Sequence, residues 1–240
     1  PHSDIVRSSM NDVDVQAVVD RRLEGLERYG RSAAALGDGK GGRQDVRFAV
    51  YAEYILDHDD ASVLDLGCGF ADLFEYLRRR GWRGRYRGVE IVPEYVEQIR
   101  RIHPELEVLQ GDVETMLEDL PTHDFVVAAS IMNLRLKAGE NEAYIRRMMR
   151  RMFDRADVAA GMDFMTTYVD WQHPDAWHTD PAWAVTEASR LTRRVVLRAD
   201  FMPYEFVLIL FKDDRASVRN VYKAFEARLD ASEVGGGDDA

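Results

Sequence analysis

The sequence predicts an α/β fold built on a mostly parallel sheet, and three observations carry that expectation. The short apolar run Val63-Leu64-Asp65-Leu66 ends at Gly67-Cys68-Gly69, and the amphipathic stretch Ala71–Arg80 follows at once. A buried parallel strand hands over to a helix beside a ligand in this way. The pattern returns at Gly88-Val89-Glu90-Ile91, about 20 residues on, where such folds place a second acid. Two further strands, 107–110 and 124–129, end in the polar turns Gly111-Asp112-Val113 and Ser130-Ile131-Met132-Asn133.

The remaining elements follow in order. Residues 11–29 pattern as an amphipathic helix with Val13, Val15, Val18, Val19, Leu23 and Leu26 apolar, ending before Gly30. Residues 37–42 carry four glycines in six and read as a flexible loop before a helix over 43–56. Lys40 in that loop lacks the spacing of a phosphate cradle, and no strand precedes it. Pro93 suits the first turn of a helix over 94–101. A helix over 140–155, a strand over 157–161 and a helix over 181–190 come next. The strands 194–199 and 205–211 pair across a loop holding Asp200 and Pro203. A closing helix over 215–229 and a glycine-rich tail over 235–240 complete the reading.

The first turn constrains the ligand. A dinucleotide fingerprint wants a small third residue where this chain has Asp72, and a carboxylate there repels a pyrophosphate. An adenosine carrying a cationic group is the better fit, and an NAD-dependent oxidoreductase is disfavoured. On the turn at Asp65–Gly69, Glu90 at its spacing and Gly111-Asp112, the chain resembles the class I S-adenosylmethionine-dependent methyltransferases over roughly residues 60–212. The resemblance implies a Rossmann-like, seven-stranded, mostly parallel sheet with an antiparallel last strand, flanked by helices. It implies a helical lid over residues 1–58, a cofactor-binding domain over 59–230 and a flexible tail over 231–240. It also implies S-adenosylmethionine as cofactor, with S-adenosylhomocysteine as product. Asp65, Gly67, Cys68, Gly69, Phe70 and Asp72 form the first motif; Glu90 takes the ribose and Asp112 the adenine side. Ile91, Val113 and Ser130 line the cofactor, and Arg47 is a candidate for its carboxylate.

Composition narrows the partners. Forty-three acids against 32 bases give a net charge of −11, unfavourable for a phosphate backbone. The runs at Arg78–Arg80 and Arg146–Arg151 read as solvated faces. No nucleic-acid partner is expected. No apolar run nears bilayer length and no signal-peptide pattern opens the sequence; no membrane contact and a cytoplasmic location are expected. Cys68 is the single cysteine, so neither an internal disulfide nor a thiolate metal cluster can form.

Substrate residues should lie beyond the fifth strand, between 162 and 183. Three of the four tryptophans and two of the six histidines fall there, and amphipathic rings suit a partly apolar pocket. His173, His178 and Tyr168 are candidate bases, and Asn133 a candidate to orient the acceptor. Tyr29, Arg43 and Trp171 are candidate substrate contacts; Arg43 or Arg47 would serve a carboxylate acceptor, which needs no base. Acids gathered in one loop do not suggest a metal site. The expected activity is methyl transfer to an oxygen or nitrogen of a small molecule, a metabolite or natural-product intermediate, by a monomer or homodimer. A peptide or protein methyltransferase and a non-catalytic cofactor-binding partner are the alternatives.

Overall fold

Residues 12–37, 42–137 and 139–213 are described here, in a computed structural model of the chain. Lys40, the expected helix over 215–229 and the expected tail lie outside them. Strand β1 (Val63–Leu66) is buried on both faces, as a continuous apolar run at the centre of a parallel sheet must be. β2 (Tyr86–Glu90), β3 (Glu107–Gln110), β4 (His123–Ala128) and β5 (Ala156–Thr166) are parallel to it in the order β3-β2-β1-β4-β5. The order reverses between β1 and β4, which opens a crevice beyond their carboxyl ends. β8 (Glu205–Phe211) runs antiparallel to β5, and β7 (Val195–Arg198) closes that edge antiparallel to β8. The two-residue β6 (His178–Thr179) attaches beside the end of β5.

Alternate side chains on each strand serve two packed layers. Val63, Phe125, Val127 and Ile209 face α2 (Arg43–Ile55), α3 (Asp72–Arg79) and α4 (Pro93–Ile102). Leu64, Leu66, Val126 and Leu208 face α6 (Asn141–Arg155) and α7 (Pro181–Ser189). α2 belongs to the core: Phe48, Tyr51, Ala52 and Ile55 are buried. Gly161 makes room for it, because a Cβ there would stand 3.0 Å from the Tyr51 ring. α1 (Asp12–Tyr29) is half-exposed by contrast, and Leu23 and Leu26 rest on a small cluster around Ala35, Phe70 and Tyr95.

The main departure from the sequence expectation is β5, which continues to Thr166 where a loop was expected after 161. Asp163 interrupts the apolar run, yet it is fully buried and pairs opposite Val207 of β8. The one-turn helix α5 (Val113–Met116) and β6 are too short to show a period. No described helix is long and apolar enough to cross a membrane.

Candidate active site

The carboxyl ends of β1 to β4 open on a cavity of about 450 Å³, within the range of small-molecule sites. Asp65, Gly67, Cys68, Gly69, Glu90, Ile91, Asp112, Val113 and Ser130 line one side. Gly67 and Gly69 hold φ of 66° and 57°, the left-handed region that glycine enters without strain. Glu90 fixes that turn: Oε2 accepts the Gly69 N–H at 2.8 Å and Oε1 the Val92 N–H at 2.9 Å. A carboxylate offers about four acceptor directions, so Glu90 keeps capacity for a ligand's hydroxyls. Burial raises its pKa, and the backbone N–H groups and Arg22 oppose that.

Asp65 is buried and accepts the Tyr86 hydroxyl at 2.7 Å. Burial pushes its pKa up to about 7; the Tyr86 bond opposes the shift, and the charges of Glu90 and Asp72 add to it. Asp112 caps α5 by accepting the N–H groups of Glu114 and Thr115, both at 3.3 Å. Cys68 lines the wall, its thiol pushed well up by burial and by Asp65 and Glu90. Phe70 and Asp72, expected at the cofactor, do not line the cavity. Phe70 packs on Tyr95, ring centroids 4.4 Å apart, and Asp72 accepts the Gln44 amide at 3.1 Å.

A buried polar cluster backs the other side, with Arg47, Ser130, Asn133 and Glu205 on the wall and Asp163 and Tyr51 behind it. Asp163 Oδ1 accepts the Tyr51 hydroxyl and the Ser130 N–H, each at 2.9 Å. Asp163 Oδ2 accepts Asn133 Nδ2 at 3.4 Å and lies 3.3 Å from Arg47 Nε. Burial, with Asp163 beside it, holds the Tyr51 phenol well above its ordinary value, so it remains a donor. Arg47 grips Glu205 through both carboxylate oxygens, Nε to Oε2 and Nη2 to Oε1 each at 3.0 Å. Arg47 lines the cavity but its fork is already engaged, which argues against the cofactor-carboxylate role expected for it. Ser130 holds φ of 66°, unusual for a residue with a Cβ, and its Oγ is buried without a partner.

The acceptor candidates separate. Asn133, His173 and Arg43 line the cavity; Tyr29, Tyr168, Trp171 and His178 do not. Tyr168 and Trp171 are 70% and 67% exposed and Tyr29 is 49% exposed. His178 is buried, and both ring nitrogens are taken by backbone, Thr166 O at 2.8 Å and the His173 N–H at 3.2 Å. It is a strut, which removes it as a base. Asp163, Glu205 and Tyr51 were missed as site residues. The one available signal was Asp163, a lone charge inside the apolar run 158–165.

A crevice at a strand-order reversal, lined by three strand-end acids around a Gly-x-Gly turn, agrees with the resemblance to class I S-adenosylmethionine-dependent methyltransferases, and the chain carries a methyltransferase domain. The sequence profile of the methyltransferase domain matches residues 63–154, from β1 to the end of α6. Rv1506c of Mycobacterium tuberculosis, provisionally named a methyltransferase, is 28% identical over 159 residues, 64% of this chain and 95% of that protein. The magnesium protoporphyrin IX methyltransferase of Synechocystis PCC 6803, solved with bound S-adenosylmethionine, shares the fold at a TM-score of 0.60 and 16% identity. The match covers 86% of this chain and all of that one. The small RNA methyltransferase HEN1 shares it at 0.56 and 12% identity, over 71% of this chain and 25% of that one. The carboxylate-rich wall suits S-adenosylmethionine, which presents an ammonium, hydroxyls and an amino group to acceptors of this kind.

Proposed function

We propose that the chain methylates an oxygen or nitrogen of a small molecule held inside this cavity. The observation that carries the reading is continuity: one cavity runs from Asp65, Glu90 and Asp112 to Asn133, His173 and Glu205, with Val18, Arg21 and Arg22 of α1 as part of its wall. When bound, the cofactor supplies a methyl group already activated on a sulfonium. Glu90 takes the ribose hydroxyls, Asp112 the adenine side, and Asp65 favours the cationic amino-acid end. Ile91 and Val113 supply apolar wall. Asn133 and Ser130, both held by Asp163, orient the acceptor for in-line attack, where positioning supplies much of the acceleration.

α1 acts as the lid. Asp14 accepts the Lys137 N–H at 2.9 Å, and Arg21 stands 3.8 Å from Asp175. Because α2 is bound into the core, the part of the expected lid that covers the site is α1 with the turn after it. A concave site and a charge of −11 favour a small acceptor over a nucleic acid. The test supplies methyl-labelled cofactor and the protein to the small-molecule, RNA and protein fractions of a cell extract. Label in the small-molecule fraction is expected; label confined to RNA or protein would overturn the reading.

A further inference from the structure

Each sequence-predicted base is unavailable for proton removal in this structure. His178 has no free nitrogen. His173 Nδ1 accepts the Asp175 N–H at 3.1 Å, so the neutral ring carries its proton on Nε2 and offers the cavity a donor, not a lone pair. Tyr168 is 70% exposed and does not line the cavity. Among the cavity's carboxylates on this side, Glu205 is gripped by Arg47 and Asp175 stands in solvent beside Arg21.

The same wall is rich in donors. Among the described residues, four arginines line the cavity. Arg47 is engaged by Glu205, Arg22 donates to the Leu36 carbonyl, and Arg21 stands 3.8 Å from Asp175. Arg43, on the first turn of α2, has no hydrogen-bond or ion-pair partner among the described residues. Asn133 spends Oδ1 on the Met165 N–H at 2.6 Å and one Nδ2 hydrogen on Asp163, which leaves a second N–H. A free guanidinium, an imidazole N–H and an amide N–H recognise an anion, and an anion needs no base.

Resting on the methyl-transfer reading above, we propose that the acceptor is a carboxylate, with Arg43 and the His173 Nε2–H as its recognition groups and a methyl ester as product. A carboxylate oxygen donates a lone pair to the methyl carbon. The carbon–oxygen bond forms as the carbon–sulfur bond breaks, the bonding pair stays on sulfur, and no proton is released.

The test incubates the full chain and methyl-labelled cofactor with a panel of aryl and alkyl carboxylic acids, each beside its matched alcohol and amine. Label that mild alkali releases as methanol marks a methyl ester, and an indicator dye in weak buffer reads proton release. The expected result is alkali-labile label on acids, without proton release. Arg43→Gln should raise KM for the best acid about tenfold with little change in kcat, because it removes a charge-assisted bond made in the ground state too. Label on alcohols or amines in preference to acids overturns the proposal. So does absence of alkali-labile label on every acid while S-adenosylhomocysteine still binds. Failure to bind S-adenosylhomocysteine would instead remove the methyl-transfer reading beneath it.

Discussion

The two sides of the cavity are held by different kinds of contact. Beneath β1 to β3 the contacts span short stretches of chain: Glu90 accepts from Val92 two residues on and from Gly69 21 residues back, Asp65 from Tyr86 21 residues on, and Asp112 from Glu114 and Thr115. Beneath α2, β5 and β8 they join distant parts of the chain. Arg47 and Glu205 lie 158 residues apart, Tyr51 and Asp163 112 apart, and Ser130 and Asp163 33 apart. The local side needs only β1 to β3 and the turns that follow them, whereas the distant side exists only once β5 and β8 have joined α2. On the proposed function, the cofactor side is therefore built from motifs and the acceptor side from tertiary structure.

The largest stability effect should arise on the distant side. Arg47→Ala leaves Asp163 and Glu205 without the guanidinium between them, and breaking a buried pair this way costs about 3–5 kcal/mol. Urea unfolding measures it; a cost under about 1 kcal/mol, the scale of an ordinary substitution, would mean that the cluster does not hold the two sheet edges together. On the local side, Glu90→Gln places an amide N–H₂ against one of two backbone donors. Cofactor affinity should fall roughly tenfold or more, with an unfolding cost of about 1–3 kcal/mol. An equal fall in affinity for Asp72→Asn would contradict the division, since Asp72 lies off the cavity wall.

A smaller effect follows from Asp65. Its folded-state pKa, about 7, lies above the ordinary 3.8, so across that window the folded chain holds a proton that the unfolded chain has lost. Its contribution to stability therefore falls as pH rises from about 4 to 7. Affinity for a cationic ligand runs the other way, rising with pH through about 7 as the carboxylate ionises, and Asp65→Asn should flatten that rise. Titration of cofactor affinity from mildly acid to mildly alkaline pH reads the rise in wild type and its loss in the variant. The smallest effects belong to Tyr168→Ala and Trp171→Ala, whose side chains are largely exposed. Stability should move by no more than about 0.5 kcal/mol and cofactor affinity should hold, by thermal melt and titration.

The contrast also explains what could be read from the sequence. Asp65, the two turn glycines, Glu90 and Asp112 were legible because each follows its own apolar strand at a spacing set by backbone geometry, and all five line the cavity. The parallel strands were legible from hydrophobic runs, and the antiparallel direction of the last strand from the family resemblance. Asp163 was passed over because a charge inside an apolar run reads as the end of a strand, when here Tyr51, Arg47 and the Ser130 N–H satisfy it. The aromatic loop misled by proximity. Tyr168, Trp171, His173 and His178 are near neighbours in sequence, yet of these His173 alone lines the cavity. Sequence spacing does not report which way a loop residue turns, nor that both nitrogens of His178 are occupied.

The central claim is that strand-end acids make a site for S-adenosylmethionine, and its most direct test is calorimetric titration with S-adenosylhomocysteine. Wild type and Glu90→Ala are compared, with NAD as a control ligand and circular dichroism as a check on folding. Saturable binding to wild type is expected, weakened roughly 10- to 100-fold in a folded Glu90→Ala variant, with no binding of NAD. Undiminished affinity in the variant, or NAD binding in the same cavity, would contradict it.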